Sequence, residues 1–209
     1  MDARRVYALV LKAESVGTRL ERASQSIITP WDDTGWIVKE DAPGVPPQVE
    51  WETRVYSLLL ELGADDLAPE FDEDASDGCL VIKLINAAAS LEDYAALFAT
   101  RADLPIALWH ELMGAVGRTV ARFHSFGFVH GDLHPGNVVV GLQGARFRPY
   151  LIDFGLTQHE ELGEYPHPLT QELSEEADLN RLDEGLRAIS SDPRYLSGLE
   201  ELSTAYYRY

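Results

Sequence analysis

The sequence predicts an α+β fold of two lobes, a strand-rich lobe over residues 1–85 and a reduced, mainly helical lobe over residues 86–209. Three observations predict it. The first third alternates short β-rich runs with turn residues. The remainder places apolar residues at helical spacing. The change from one pattern to the other falls near Asn86. A chain of 209 residues can form one domain whose two lobes share a core, and 45% hydrophobic residues suit a packed globular protein.

Residues 6–12 read as a first strand and residues 14–18 as a tight turn. Residues 26–29 are β-rich, and residues 30–35 carry the turn chemistry of Pro30, Asp32, Asp33 and Gly35. Residues 36–39 form a third short strand. The loop over 41–47 ends in prolines, which suit a first helical turn. Over residues 48–62 the pattern becomes helical: Val55, Leu58, Leu59 and Leu62 share a face, and Gly63 is a stop. Two more strands are expected, near 69–71 and over 79–85, joined by an acidic turn at Ser76-Asp77-Gly78. Together these give a five-stranded antiparallel sheet with one helix. In the second lobe, Ser90 can cap a helix running to Phe98. Pro105 opens a long helix with Trp109, Leu112, Met113, Val116, Val120 and Phe123 on one face. An irregular segment covers 127–136. A hairpin of strands over 137–140 and 147–152 turns through Gly141 and Gly144. Helices over 174–189 and 196–206 complete the chain.

Composition excludes several function classes. The net charge is −18, and such a surface repels nucleic-acid backbones and anionic membranes. No direct nucleic-acid partner is expected. The acidic excess, with only three lysines, also fits adaptation to high salt. No run of eighteen apolar residues predicts a membrane-spanning helix. The N-terminus is too short and polar in its apolar stretch for a signal peptide. The single cysteine, Cys79, allows no internal disulfide and no cysteine-based zinc site, and its apolar run predicts a buried, inert thiol. A cytoplasmic protein is the expectation.

Two motifs carry the chemistry. The first is Val129-His130-Gly131-Asp132-Leu133-His134-Pro135-Gly136-Asn137, and the second is Leu151-Ile152-Asp153-Phe154-Gly155. Phosphoryl transfer needs a carboxylate that orients the attacking hydroxyl, and oxygen ligands for the magnesium that bridges the phosphates. Asp132 suits the first task, Asn137 and Asp153 the second. The hairpin would return Asp153 to the side of Asn137.

These motifs resemble the catalytic loop and magnesium loop of protein-kinase-like enzymes, in order and in spacing. The resemblance covers roughly residues 6–190 and implies a bilobal kinase-like fold binding ATP and Mg2+ between the lobes, with Asp132 as catalytic base. It implies that Lys39 holds the phosphates and that a glutamate of the next helix pairs with it, Glu52 or its rival Glu50. The phosphate-covering loop would be reduced to Ser15-Val16-Gly17-Thr18. There Gly17 allows close backbone approach and the Ser15 and Thr18 hydroxyls could bond phosphate oxygens; Gly17 could equally be an ordinary turn glycine. The backbone of Lys83 and Ile85 would meet adenine. His124 is expected to be a core hydrogen-bonding residue. Asp178 could anchor the catalytic loop or face solvent.

Departures narrow the resemblance. Gly131 stands where many regulated protein kinases have arginine, and no Ala-Pro-Glu motif follows Asp153. His134-Pro135-Gly136-Asn137 resembles aminoglycoside phosphotransferases, lipopolysaccharide kinases and ubiquinone-biosynthesis kinase-like proteins. Residues 175–182 followed by Asp192-Pro193 resemble the small kinase-like subunit of the KEOPS complex, without its basic tail; RIO kinases are similarly compact. The resemblance implies an atypical serine/threonine protein kinase. A sugar, lipid or antibiotic kinase remains open, as does a nucleotide-binding ATPase or regulatory subunit of a KEOPS-like complex. The partners are therefore ATP, a protein or small-molecule hydroxyl acceptor, and possible complex subunits.

Overall fold

Pairing in the first sheet is set by β-branched runs that meet in antiparallel register. The computed structural model describes residues 2–6, 8, 26–31, 35–44, 47–76, 78–83, 85, 89–166 and 173–209. Strand β1 (Ser26–Pro30) pairs with β2 (Trp36–Asp41), which pairs with β3 (Leu80–Lys83), in the order β1-β2-β3. Thr29 lies opposite Val38, and Val38 opposite Val81. Helix α1 (Val49–Glu61) buries Trp51, Glu52, Val55, Tyr56 and Leu59.

The expected single five-stranded sheet is not formed; the described residues build two three-stranded sheets. Residues 69–71 supply only an isolated bridge, Phe71 to Ile82. Lys83 N donates to Glu70 O (2.8 Å) and Asp72 N to Val81 O (3.0 Å), but Pro69 has no N–H with which to extend the ladder. The strand expected over 6–12 fails where it can be seen, because residues 3–6 are helical. Asp2 Oδ1 accepts from Arg5 N (3.1 Å), an N-terminal cap, and Ala3 and Val6 are buried at helical spacing. The rest of that strand and the turn over 14–18 lie outside the described residues. Cys79, expected to be buried, is half-exposed, its thiol 3.6 Å from Ala75 O.

The second sheet is built from strands within residues 89–151. Strand β4 (Ala89–Ser90) pairs with β5 (Val138–Gln143), and β5 with β6 (Arg146–Leu151). The β5–β6 hairpin turns at Gly144, whose φ of +66° favours glycine. Ser90 also caps α2 (Leu91–Thr100): its hydroxyl accepts from Asp93 N (3.3 Å) while Asp93 Oδ2 accepts from Ser90 N (2.9 Å). Helix α3 (Ile106–Ser125) starts after Pro105 and buries the predicted face from Trp109 to Phe123. Helix α5 (Pro193–Tyr207) lies on it, with Gly117 and Gly198 at points where a Cβ would strike Leu202 O and the Trp109 indole. Trp109 Nε1 donates to Tyr195 O (2.8 Å) across the crossing. Helix α4 (Glu175–Ile189) is capped by Ser174, which accepts from Ala177 N (3.1 Å).

One apolar core joins the early and late parts of the described chain, from Val55 and Leu80 to Leu182 and Leu202. Asp66, in the turn after α1, adds a polar tie: it receives Arg122 of α3 (2.6 Å) and Arg148 of β6 (3.1 Å). Among the described residues no helix is long and apolar enough to cross a membrane.

Candidate active site

Strand β2 delivers Lys39 to a buried pair of carboxylates. Lys39 Nζ lies 2.6 Å from Glu52 Oε2 and 2.7 Å from Asp153 Oδ1. Glu52 reaches this point because it shares the buried face of α1 with Val55, Tyr56 and Leu59, whereas Glu50 is exposed. Its second oxygen, Oε1, accepts from Phe154 N (3.1 Å), so one carboxylate fixes both the lysine and the loop after β6. The lysine and glutamate side chains are 10% and 2% exposed, and that of Asp153 is 49% exposed.

Burial works to lower the Lys39 pKa, but Glu52 and Asp153 together outweigh it and hold the ammonium above its ordinary range. Burial pushes the Glu52 carboxyl up, against Lys39. For Asp153 burial also acts upward, yet Lys39 prevails and the carboxyl sits below its ordinary value. Asp153 adopts φ +66°, a left-handed conformation that aspartate tolerates better than most residues.

An aromatic column backs this cluster. Phe71 lies 5.5 Å from Tyr56, Tyr56 5.1 Å from Phe154, and Phe154 5.4 Å from His130, measured between ring centroids. Burial lowers the His130 pKa and keeps the imidazole neutral. Its Nε2 donates to Ile152 O (3.1 Å), and its Nδ1 faces Asp132 N (3.4 Å).

The loop bearing Asp132 is held from α4. Asp178, buried, accepts from His130 N (2.7 Å) and Gly131 N (2.9 Å). Of its two readings, loop anchor or solvent-facing residue, the anchor is the one observed. His124 is buried as expected, bonded to Asp178 Oδ2 (3.2 Å) and to the Tyr206 hydroxyl (2.8 Å). Gly131 has φ +80°, and a Cβ there would lie 2.5 Å from Leu156 O, so no side chain fits. A short 3-10 turn (Pro135–Asn137) then brings Asn137 back under the loop, its Nδ2 donating to Asp132 O (2.9 Å). That bond leaves Asn137 Oδ1 as the amide's acceptor. Asn137 O in turn accepts from Ile152 N (3.1 Å), tying it to the strand end that carries Asp153. An amide oxygen and a carboxylate form a hard donor set of the kind that suits magnesium.

Lys39, Glu52 and Asp153 thus converge, and Asp132, Asn137 and Asp153 share one bonded framework. Lys83 and Ile85 lie apart from it. The Lys83 ammonium pairs with Glu70 (2.7 Å). Both residues line a cavity of about 500 Å³ with Tyr56, Phe71, Asp66 and Tyr150, whose described lining includes none of Lys39, Asp132, Asn137 or Asp153. Ser15, Gly17 and Thr18 lie outside the described residues. Sequence reasoning missed Arg181, whose Nη1 donates to Gly131 O (2.7 Å) and Asp132 Oδ1 (2.8 Å). The only signal for it was its place one helical turn beyond Asp178. It also missed Trp51, which donates to Thr157 O (2.7 Å), and Thr157, which donates to His130 O (3.1 Å).

Residues 72–191, which include both loop motifs and the α4 anchor, match the family model of the lipopolysaccharide kinase (Kdo/WaaP) family. The chain belongs to this family. Its membership accords with similarity to a solved structure, WaaP in complex with acyl carrier protein. That likeness has a TM-score of 0.58 at 19% identity, covering 97% of this chain and 82% of that one, and it bears on the fold alone. Curated relatives match over shorter stretches. A probable bifunctional tRNA threonylcarbamoyladenosine biosynthesis protein of Natronomonas pharaonis is 51% identical over 55 residues, which are 26% of this chain and 10% of that protein. Its counterpart in Haloarcula marismortui is 40% identical over 101 residues, or 47% and 17%. Nucleosomal histone kinase 1 of Drosophila melanogaster is 45% identical over 47 residues, or 22% and 8%. The matched stretches span less than a fifth of these relatives' own length. The protein-kinase-like superfamily expected from the two motifs is the one to which this family points.

Proposed function

We propose that this chain is an ATP- and magnesium-dependent phosphotransferase of one kinase-like domain (lobes 1–85 and 86–209), transferring a γ-phosphoryl group to a hydroxyl beside Asp132. The observation that carries the reading is Lys39 held between Glu52 and Asp153 while Asp132 and Asn137 are fixed beside the same strand end. Lys39 holds the α- and β-phosphates, and Glu52 sets its position. Asn137 Oδ1 and the Asp153 carboxylate would hold magnesium. Held there, the ion would supply positive charge against the charge that develops on the phosphates. The acceptor oxygen bonds to the γ-phosphorus as the bond to the β,γ-bridging oxygen breaks; the acceptor proton passes to Asp132 and ADP leaves. The backbone of Lys83 and Ile85 remains the candidate adenine edge, with Ser15, Gly17 and Thr18 the candidate phosphate cover.

The acceptor we favour is a serine or threonine hydroxyl of a protein. The Asp132 side chain is 40% exposed, and between β6 and α4 the described residues add one 3-10 turn (Glu160–Leu162) and no helix to wall off a small-molecule pocket. A sugar hydroxyl is the second reading, favoured by the family match. A role as an ATPase or regulatory subunit of a complex is the third reading, in keeping with the missing Ala-Pro-Glu motif and the likeness of residues 175–182 to the KEOPS subunit. The test is incubation with magnesium and γ-labelled ATP, alone and with cell lysate, beside Asp132→Ala. Labelled protein that disappears in the variant supports the favoured reading. Labelled small molecules transfer the case to the second, and free phosphate alone to an ATPase. Turnover unaffected by Asp132→Ala would remove Asp132 from the mechanism.

A further inference from the structure

Three residues on one face of α4 engage the loop that carries Asp132. Asp178 accepts the His130 and Gly131 N–H groups. Arg181 donates to Gly131 O and to Asp132 Oδ1. Leu182 is buried, and at Gly185 a Cβ would lie 2.6 Å from Pro135 Cδ. The helix thus contacts the loop's donors, then its carbonyl, then its reactive carboxylate. The spacing is that of a single helical stripe.

The contact at Asp132 distinguishes its two oxygens. Oδ1 is taken by the Arg181 guanidinium at 2.8 Å, a charge-assisted bond between side chains 32% and 40% exposed. Among the described residues Oδ2 receives no side-chain hydrogen bond, and His134 Nε2 lies 3.9 Å from it. His134 Nδ1 accepts from Gly136 N (3.1 Å), so the proton of a neutral His134 sits on Nε2 and points at a site too distant to occupy Oδ2.

We infer that Arg181 is a positioning residue for the phosphoryl transfer: it occupies Asp132 Oδ1 and fixes the carboxylate plane, so that Oδ2 is the oxygen that receives the acceptor hydroxyl's proton. The inference rests on the phosphotransferase reading above. It makes the guanidinium a fixed part of the site, because α4 is held to the same loop independently by Asp178. A residue that acts through another should govern the rate of transfer without governing nucleotide affinity.

The test compares wild type, Asp132→Ala, Arg181→Ala and Arg181→Lys in magnesium-ATP turnover, with kcat and KM for ATP measured separately. Loss of one charge-assisted bond predicts a fall in kcat of about 10- to 100-fold for Arg181→Ala, with KM within about threefold. Arg181→Lys should retain an intermediate rate, and free guanidinium should restore part of the Arg181→Ala activity. Wild-type turnover by Arg181→Ala beside an inactive Asp132→Ala overturns the inference and leaves the phosphotransferase reading standing. Parallel losses in ATP affinity and turnover, with no guanidinium rescue, also overturn it, since they mark a general loosening of the loop. If the wild type turns over no ATP, the phosphotransferase reading falls, and a crystal structure of Arg181→Ala decides the geometry. A rotated Asp132 carboxylate there supports positioning by Arg181, and an unmoved one refutes it.

Discussion

Lys39→Met isolates the most deeply buried charge in the site. In the native protein Glu52 has two partners, Lys39 Nζ at 2.6 Å and Phe154 N at 3.1 Å. The substitution keeps the lysine's apolar stem and leaves the carboxylate with one backbone N–H at a position 2% exposed. Removing one partner of a buried ion pair costs about 3–5 kcal/mol, because the survivor remains desolvated and uncompensated. Against a typical stability of about 5–15 kcal/mol this is a large share. It corresponds to a fall in Tm of roughly 6–20 °C for a chain of this size. The Asp153 carboxylate also loses Lys39 but is half-exposed, so water replaces the ammonium there. In Lys39→Met/Glu52→Gln the buried charge is gone, and stability should return to within about 1–2 kcal/mol of wild type. The effect of pH has a definite sign. Burial already raises the Glu52 pKa, and loss of Lys39 raises it further. Above the ordinary carboxylate value of 4.5 the folded variant then keeps a proton that the unfolded chain releases, so its stability declines as pH rises through that interval. The deficit against wild type should therefore narrow from pH 8 towards pH 5. Urea unfolding of the three proteins at constant salt measures it. A deficit under about 1 kcal/mol at pH 8, or one that widens on acidification, would refute the pairing argument.

Asp153→Ala should leave the fold in place, since Lys39 keeps Glu52, yet lower magnesium-ATP turnover at least about 100-fold through loss of a charged metal ligand. Undiminished turnover would exclude Asp153 as that ligand. Gly131→Ala places a Cβ against Leu156 O at φ +80° and should cost about 1–3 kcal/mol, read as a Tm lowered by several degrees; an unchanged Tm would show that the loop can yield. His130 is buried and neutral, with its pKa below the ordinary 6.5, so unfolding takes up a proton and stability falls as pH drops below 6.5. His130→Phe should flatten that fall between pH 6.5 and 5 in the same urea series, and a slope equal to wild type would assign the acid sensitivity to other groups.

The site was legible in the sequence where it is local. His130 to Asn137 is one contiguous segment whose turns close through its own 3-10 geometry, so spacing alone carries the constellation. Lys39 was legible for a different reason: the resemblance implies a lysine near the end of the third strand, and the chain has only three lysines to supply it. Features set by distant pairing were not legible. Ala89 and Ser90 become a strand because Val140 and Val139 lie opposite them some fifty residues later, and the two residues alone carry no period. Val6, where the strand expected over residues 6–12 begins, shows the reverse failure. An apolar run suits strand or helix equally, and at Val6 the cap from Asp2 decides for helix.

Helix α4 shows why polar residues mislead such readings. Periodicity assigns polar side chains to the outside, so the sequence leaves Asp178 open between loop anchor and solvent-facing residue and gives Arg181 no role. Both turn inward, and what they meet is main chain: two N–H groups and a carbonyl that no β-ladder satisfies, in a loop the core surrounds. An irregular buried loop requires polar groups from a neighbouring regular element, and the residues that supply them are then placed to act on whatever side chain the loop presents. In this chain that side chain is Asp132. The structural demand of burying the loop and the chemical demand of orienting its carboxylate are therefore met by one turn of one helix.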